Sequence, residues 1–129
     1  MTLAYVDSSC PVAIALREPG YGELRRSLNG YGRLFSANLL EAEVRSALTR
    51  EKVEREPVSH FGRIEWVWPS RALTDEFGRA LSVGLVRGAD LWHLASALYL
   101  RDALDRPLDF LTLDTRQGQV ASALGFKAL

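Results

Sequence analysis

The sequence predicts an α/β fold: a three-layer α/β/α domain with a central parallel sheet of four to five strands. Short apolar runs of strand length alternate with segments of helical periodicity, a pattern that builds a parallel sheet with helices on both faces. The 129 residues, 47% hydrophobic and 25% charged, match globular usage and are enough to bury a core. Between the runs stand the Gly, Pro, Asn and Ser residues that stop and start such elements.

Leu3 to Val6 is the first strand. Ser8 or Ser9 can cap the helix that follows, and Pro11 suits its first turn, where a missing N–H costs nothing. Pro19-Gly20 breaks that helix, and Tyr21 to Leu28 is a second, more polar one, stopped by Asn29-Gly30. Leu34 to Ser36 is a short second strand. Asn38 caps a long third helix to about Val53, with Leu40, Val44, Ala47 and Leu48 on its buried face. Residues 55–63, with Pro57 and Gly62, read as a loop or a poor helix. Ile64 to Trp68 is a third strand, closed by Pro69.

Thr74-Asp75-Glu76 starts a fourth helix, which runs to about Ser82, and Gly84 and Gly88 punctuate the next turn. Asp90 to Leu104 is the strongest helix, with Leu91, Leu94, Ala95 and Leu98 on one stripe. Asp109 to Leu113 is a fourth strand, Thr115 to Leu124 a sixth helix capped by Gly125, and Phe126 to Ala128 an edge strand. No repeat, low-complexity segment or linker divides the chain, so residues 1–129 read as one domain.

The formal net charge of zero provides no long-range pull toward nucleic acid, so any such binding must come from local basic residues and metal. The single cysteine, Cys10, excludes an internal disulfide or a cysteine-rich zinc site and reads as a small buried apolar residue. No segment approaches the roughly 20 apolar residues of a membrane span, and Asp7 interrupts the only N-terminal apolar run, so a cytoplasmic location is expected.

Four carboxylates stand where strands or turns meet helices: Asp7, Glu43, Asp90 and Asp114. In open α/β sheets ligands collect beyond the carboxyl ends of the strands, where strand order reverses. Asp7 ends the first, central strand and so sits at that crevice, although it can also cap the first helix. Glu43 lies about 60° from Leu40 on the helical wheel, on the apolar side, while Glu41 lies about 100° away on the opposite flank. A solvated Glu43 paired with Arg45 or Arg50 fits the wheel equally well; between the two glutamates, the wheel selects Glu43. Asp90, in the first turn of the strongest helix, and Asp114, before the last helix, both have a capping role open to them. Converging on one crevice, the four would repel one another unless a cation neutralised them. Such a pocket suits a Mg2+- or Mn2+-dependent hydrolase.

Other chemistry is poorly served. His60 falls in the uncertain segment, and His93 is expected to pack or hydrogen-bond near the core. No Gly-rich loop matches a phosphate-binding fingerprint. The aromatics Phe61, Trp66, Trp68, Phe77 and Trp92 read as core or interface. A receiver-like domain phosphorylated on Asp7 would want a second acid near the first strand and a lysine after a late one, and neither is present.

The segments Tyr5-Val6-Asp7-Ser8-Ser9, Ser36 to Ala47, Arg87 to Leu98 and Leu111-Thr112-Leu113-Asp114-Thr115-Arg116 resemble the four signature segments of PIN-domain nucleases. The chain length and the ending Ala121-Ser122-Ala123-Leu124-Gly125-Phe126 are similar to those of VapC-type toxins of bacterial toxin–antitoxin pairs. The resemblance implies a PIN-like fold and RNA cleavage dependent on Mg2+ or Mn2+. It puts Asp7 and Asp90 closest to the metal, Asp114 as a further ligand, and Glu43 as a ligand through water or an orienter of the attacking water. Ser9 and Thr112 would support the site by hydrogen bonding, and Arg87 and Arg116 would contact RNA phosphate. It further implies a VapB-type antitoxin that covers or fills the site, and a homodimer or larger assembly. The alternative is a catalytically silent PIN-like module that binds RNA or protein. The chain departs from the family pattern at residues 52–63, where a clear helix is common.

Overall fold

The computed structural model describes residues 1–54 and 61–128. Among these are five strands, β1 (Leu3–Val6), β2 (Arg33–Ala37), β3 (Ile64–Val67), β4 (Asp109–Leu111) and β5 (Lys127–Ala128). The six described helices are α1 (Ser9–Ala15), α2 (Tyr21–Asn29), α3 (Leu39–Arg50), α4 (Thr74–Val83), α5 (Gly88–Leu104) and α6 (Thr115–Ala123). The strands form one parallel sheet in the order β3-β2-β1-β4-β5. β1 is therefore central, and the chain moves to opposite sides of it before and after. That reversal opens a crevice at the carboxyl ends of β1 and β4.

All four residues of β1 are buried, as expected for a strand covered on both faces. Its side chains alternate between two cores. Leu3 and Tyr5 pack with Phe35, Val67, Leu94, Leu98 and Phe110 beneath α4, α5 and α6. Ala4 and Val6 pack with Leu34, Ile64, Leu40 and Val44 beneath α1, α2 and α3. This is the three-layer α/β/α arrangement. No described helix is long and apolar enough to cross a membrane.

Several boundaries differ from the sequence reading, for identifiable reasons. α1 ends at Ala15, before Pro19-Gly20, and α3 ends at Arg50 rather than near Val53. Both close in a Schellman motif with a basic residue in the left-handed position. Arg17 has φ +54° with Glu18 N–H donating to Ala13 O, and Lys52 has φ +57° with Val53 N–H donating to Leu48 O. Without glycine at these positions, the sequence carried no stop signal there. α6 ends in the same motif with the expected glycine, Gly125, at φ +93°.

Neither Ser8 nor Ser9 caps α1 through its side chain, and Asn38 does not cap α3. Asn38 Nδ2 donates instead to Glu41. β3 stops at Val67, leaving Trp68 outside the core and 68% exposed. β4 stops at Leu111, and two backbone donors just beyond it turn to side chains: Leu113 N–H to Ser9 Oγ and Asp114 N–H to Thr112 Oγ1. The sequence reading of residues 55–60, including His60, lies outside the described residues.

Candidate active site

Asp7 follows the last residue of β1, and its N–H donates to Leu111 O (3.1 Å), so the ends of β1 and β4 are level. The carboxylate is buried, with 4% of the residue exposed. Oδ1 accepts from both the N–H and the Oγ–H of Ser9, and Oδ2 accepts from Thr112 Oγ1 at 2.8 Å. A carboxylate oxygen offers about two acceptor positions, so Oδ1 is filled while Oδ2 keeps one. Burial raises the Asp7 pKa, opposed by the hydrogen bonds from Ser9 and Thr112 and by nearby His93.

Thr112 Oγ1 links Asp7 to the start of α6. It accepts from Asp114 N–H (3.0 Å), and Asp114 Oδ1 caps the helix by accepting from Gln117 N–H at 2.7 Å. Gln117 is fully buried, with Oε1 3.1 Å from Thr112 Oγ1 and Nε2 donating to Asp90 O at 3.3 Å. This ties the first turn of α5 to β4 and α6. Asp114 is thus the cap of α6, and its N–H is tied to the same hydroxyl that donates to Asp7.

Asp90 and Asp114 line one cavity of about 440 Å³, together with Leu85, Val86, Arg87 and Arg116. Burial raises the Asp90 pKa, and the charges of Asp114 and Glu43 add to the rise against Arg87 and His93. Both arginines expected to contact phosphate stand at this cavity. Arg116 Nε also donates to Leu85 O (3.1 Å), which holds the guanidinium against the loop before α5.

Glu43 projects from α3 and lines a neighbouring cavity with Ser8, Ser9 and Arg50. Its Oε1 lies 2.6 Å from Nε2 of His93, whose Nδ1 is 2.7 Å from the hydroxyl of buried Tyr5. Glu41 instead pairs with Arg45 (2.8 Å), and Arg50 lies against Glu51 (3.5 Å). The partner of Glu43 is therefore fifty positions away in sequence. Sequence reasoning placed His93 near the core, where it is, but had no signal linking it to Glu43. Tyr5 and Gln117 were likewise missed, because each reads as an ordinary strand or helix residue.

The network joins Asp7, Asp114 and Asp90 through Thr112 and Gln117, while Glu43 joins the same helix, α5, through His93. Among the described residues, no three His, Cys, Asp or Glu side chains stand close enough to hold an ion unaided. A small divalent cation needs only one or two carboxylates and completes its shell with water and substrate phosphate oxygens. An open, all-oxygen set whose buried acids resist ionisation fits that kind of ion.

Residues 4–123 match the PIN domain family. The chain is also 32% identical, over 134 aligned positions covering all of this chain and 98% of the relative, to Ribonuclease VapC46 of Mycobacterium tuberculosis. The chain therefore belongs to the PIN-domain family and is of the VapC type.

Proposed function

We propose that this chain is a Mg2+- or Mn2+-dependent endoribonuclease toxin, neutralised by a small VapB-type antitoxin. The observation that carries the reading is the gathering of Asp7, Asp90, Asp114 and Glu43 at one sheet edge, with burial working against ionisation of Asp7 and Asp90. The relative's name, Ribonuclease VapC46, supports RNA as the substrate.

Asp7, through the free position on Oδ2, and Asp90 would be the principal ligands, with Asp114 a further one and Glu43 acting through water. When bound, such an ion would supply a water of lowered pKa and offset charge developing on the phosphodiester. The chain's own groups do the rest. Ser9 and Thr112 hold the Asp7 carboxylate in one orientation. Gln117 fixes the main chain at Asp90. Arg87 and Arg116, which line the cavity beside Asp90 and Asp114, would contact phosphate oxygens of the RNA. Leu85 and Leu113, 77% and 49% exposed, offer apolar surface near this charged rim, which an antitoxin would cover. Self-association is part of the proposal, supported by exposed Trp68 just beyond edge strand β3.

The test is cleavage of RNA by the purified chain with Mg2+ or Mn2+ and with EDTA, alongside Asp7→Asn and Asp90→Asn. Cleavage should require the metal and be lost in both variants. Cleavage that survives chelation and both substitutions would overturn the mechanism. A silent binding module would show neither cleavage nor Mn2+ uptake by calorimetry.

A further inference from the structure

We propose that His93 is a positioning residue that holds Glu43 toward the site through a buried relay beginning at Tyr5. The inference rests on Glu43 belonging to the metal site proposed above. His93 is 1% exposed and Tyr5 is fully buried, so neither can exchange its hydrogen bonds for water. Three contacts run in series: Ala37 N–H to Tyr5 Oη (3.0 Å), Tyr5 Oη to His93 Nδ1 (2.7 Å), and His93 Nε2 to Glu43 Oε1 (2.6 Å).

The proton count assigns direction. Ala37 N–H can only donate, so it occupies a lone pair of Tyr5 Oη and leaves the single phenolic proton free to donate. If that proton goes to His93 Nδ1, Nε2 carries the imidazole proton and donates it to the Glu43 carboxylate, and every group in the series is matched. With the imidazole proton on Nδ1 instead, the Nε2 lone pair would face a carboxylate oxygen at 2.6 Å, which is repulsive. The acceptor-only Glu43 carboxylate thereby selects the tautomer of His93, and Tyr5, by donating to Nδ1, reinforces it.

The backbone adds a reason for the relay. Tyr5 is two residues before Asp7 on β1, and its ring is stacked on Phe110 of β4 at 5.4 Å and 8° between planes. His93 is three residues after Asp90 on α5, on the same side of the helix. The relay therefore references Glu43, a side chain with three free torsions, to the same strand and helical turn that present Asp7 and Asp90. Asp7 and Asp114 are oriented by main-chain donors, Ser9 N–H and Gln117 N–H, whereas Glu43 is met by the side chain of His93.

The first test needs no metal. Nitrogen-detected NMR of the imidazole in the metal-free parent should show the proton on Nε2 and an Nδ1 that accepts a hydrogen bond, with the Nδ1 resonance moving to that of an unbonded nitrogen in Tyr5→Phe. A proton on Nδ1 in the parent would overturn the relay. The second test is Mn2+ titration calorimetry. His93→Leu should weaken Mn2+ binding about tenfold or more, the usual effect of losing a group that orients a ligand. His93→Gln, which can place an amide donor near the former Nε2, should recover most of that loss. His93→Leu combined with Glu43→Gln should be no weaker than Glu43→Gln alone. If the Leu and Gln variants bind Mn2+ as tightly as the parent, His93 merely packs. Should His93→Leu fail to fold, the imidazole spectra of the parent and Tyr5→Phe carry the decision. Absence of Mn2+ binding by the parent itself would refute the metal reading, whereas the NMR result tests the relay independently.

Discussion

Asp7→Asn removes a buried charge while leaving each neighbouring group a partner. In the parent, Thr112 Oγ1 donates to Asp7 Oδ2 at 2.8 Å and lies 3.1 Å from Gln117 Oε1. In the variant, the asparagine Nδ2 can donate to Thr112 Oγ1, whose proton turns to Gln117, while Oδ1 still accepts from Ser9. No neighbouring donor is stranded, the second amide N–H takes the open position at former Oδ2, and the burial that raises the Asp7 pKa no longer opposes folding at neutral pH. Relieving a functional site in this way is expected to stabilise the metal-free protein by about 1 kcal/mol, roughly 4 °C in Tm for a domain of this size. Saturating Mn2+ reverses the order, because at a hundred times Kd the parent gains about 2.7 kcal/mol that the variant largely forgoes. The sign with pH follows from the raised pKa. The penalty on the parent is present above the folded-state pKa and disappears as the carboxyl protonates, so the variant's advantage shrinks on acidification. Thermal unfolding with EDTA and with Mn2+, at neutral and acidic pH, reads all three effects. A metal-free variant clearly less stable than the parent at neutral pH would refute the claim that charge burial dominates at Asp7.

Further outcomes follow from other contacts. Thr112→Val should weaken Mn2+ binding about tenfold or more, measured by calorimetry, because it removes the hydroxyl shared by Asp7 and Asp114. Glu76 forms a two-point pair with Arg71, which lowers its pKa from 4.5 to about 2. That contribution is complete above the unfolded-state pKa and is lost as pH falls toward the folded-state value, so Glu76→Gln should flatten the acid limb of a stability-versus-pH curve. Lys52→Gly should stabilise by about 0.5 kcal/mol in urea unfolding, the relief of left-handed strain (~1–2 kcal/mol) outweighing the freer unfolded chain (~0.4–1 kcal/mol). Gly125→Ala should have the opposite sign, since φ is +93° there. Cys10, fully buried with a thiol pKa pushed up by burial, should react with thiol reagents only after denaturation.

Much of the fold was legible because its signals are local. Leu3–Val6 and the stripe of Leu40, Val44, Ala47 and Leu48 declare themselves by run length and period, and strand–helix alternation leads to a parallel sheet. The misplaced ends of α1 and α3 had a local cause as well, Arg17 and Lys52 standing where glycine usually marks the stop. Similarly, the positions of Asp7, Asp90 and Asp114 at element joints could be read from the chain, and the crevice rule supplied a reason for them to meet.

Tertiary structure decided how those acids are held. Ser9 looked like a cap and instead spends its hydroxyl on Asp7 and Leu113 N–H. Asp114 proved to be the cap of α6, its N–H tied to the hydroxyl that donates to Asp7. Glu43 was separated from Glu41 by a wheel angle, but its partner depended on the packing of α5 against the sheet, which brings His93 across fifty positions. Periodicity is a property of neighbours along the chain, so a single sequence can show which face a residue occupies. The donor it meets there depends on strand order and helix packing, which only the folded chain brings about.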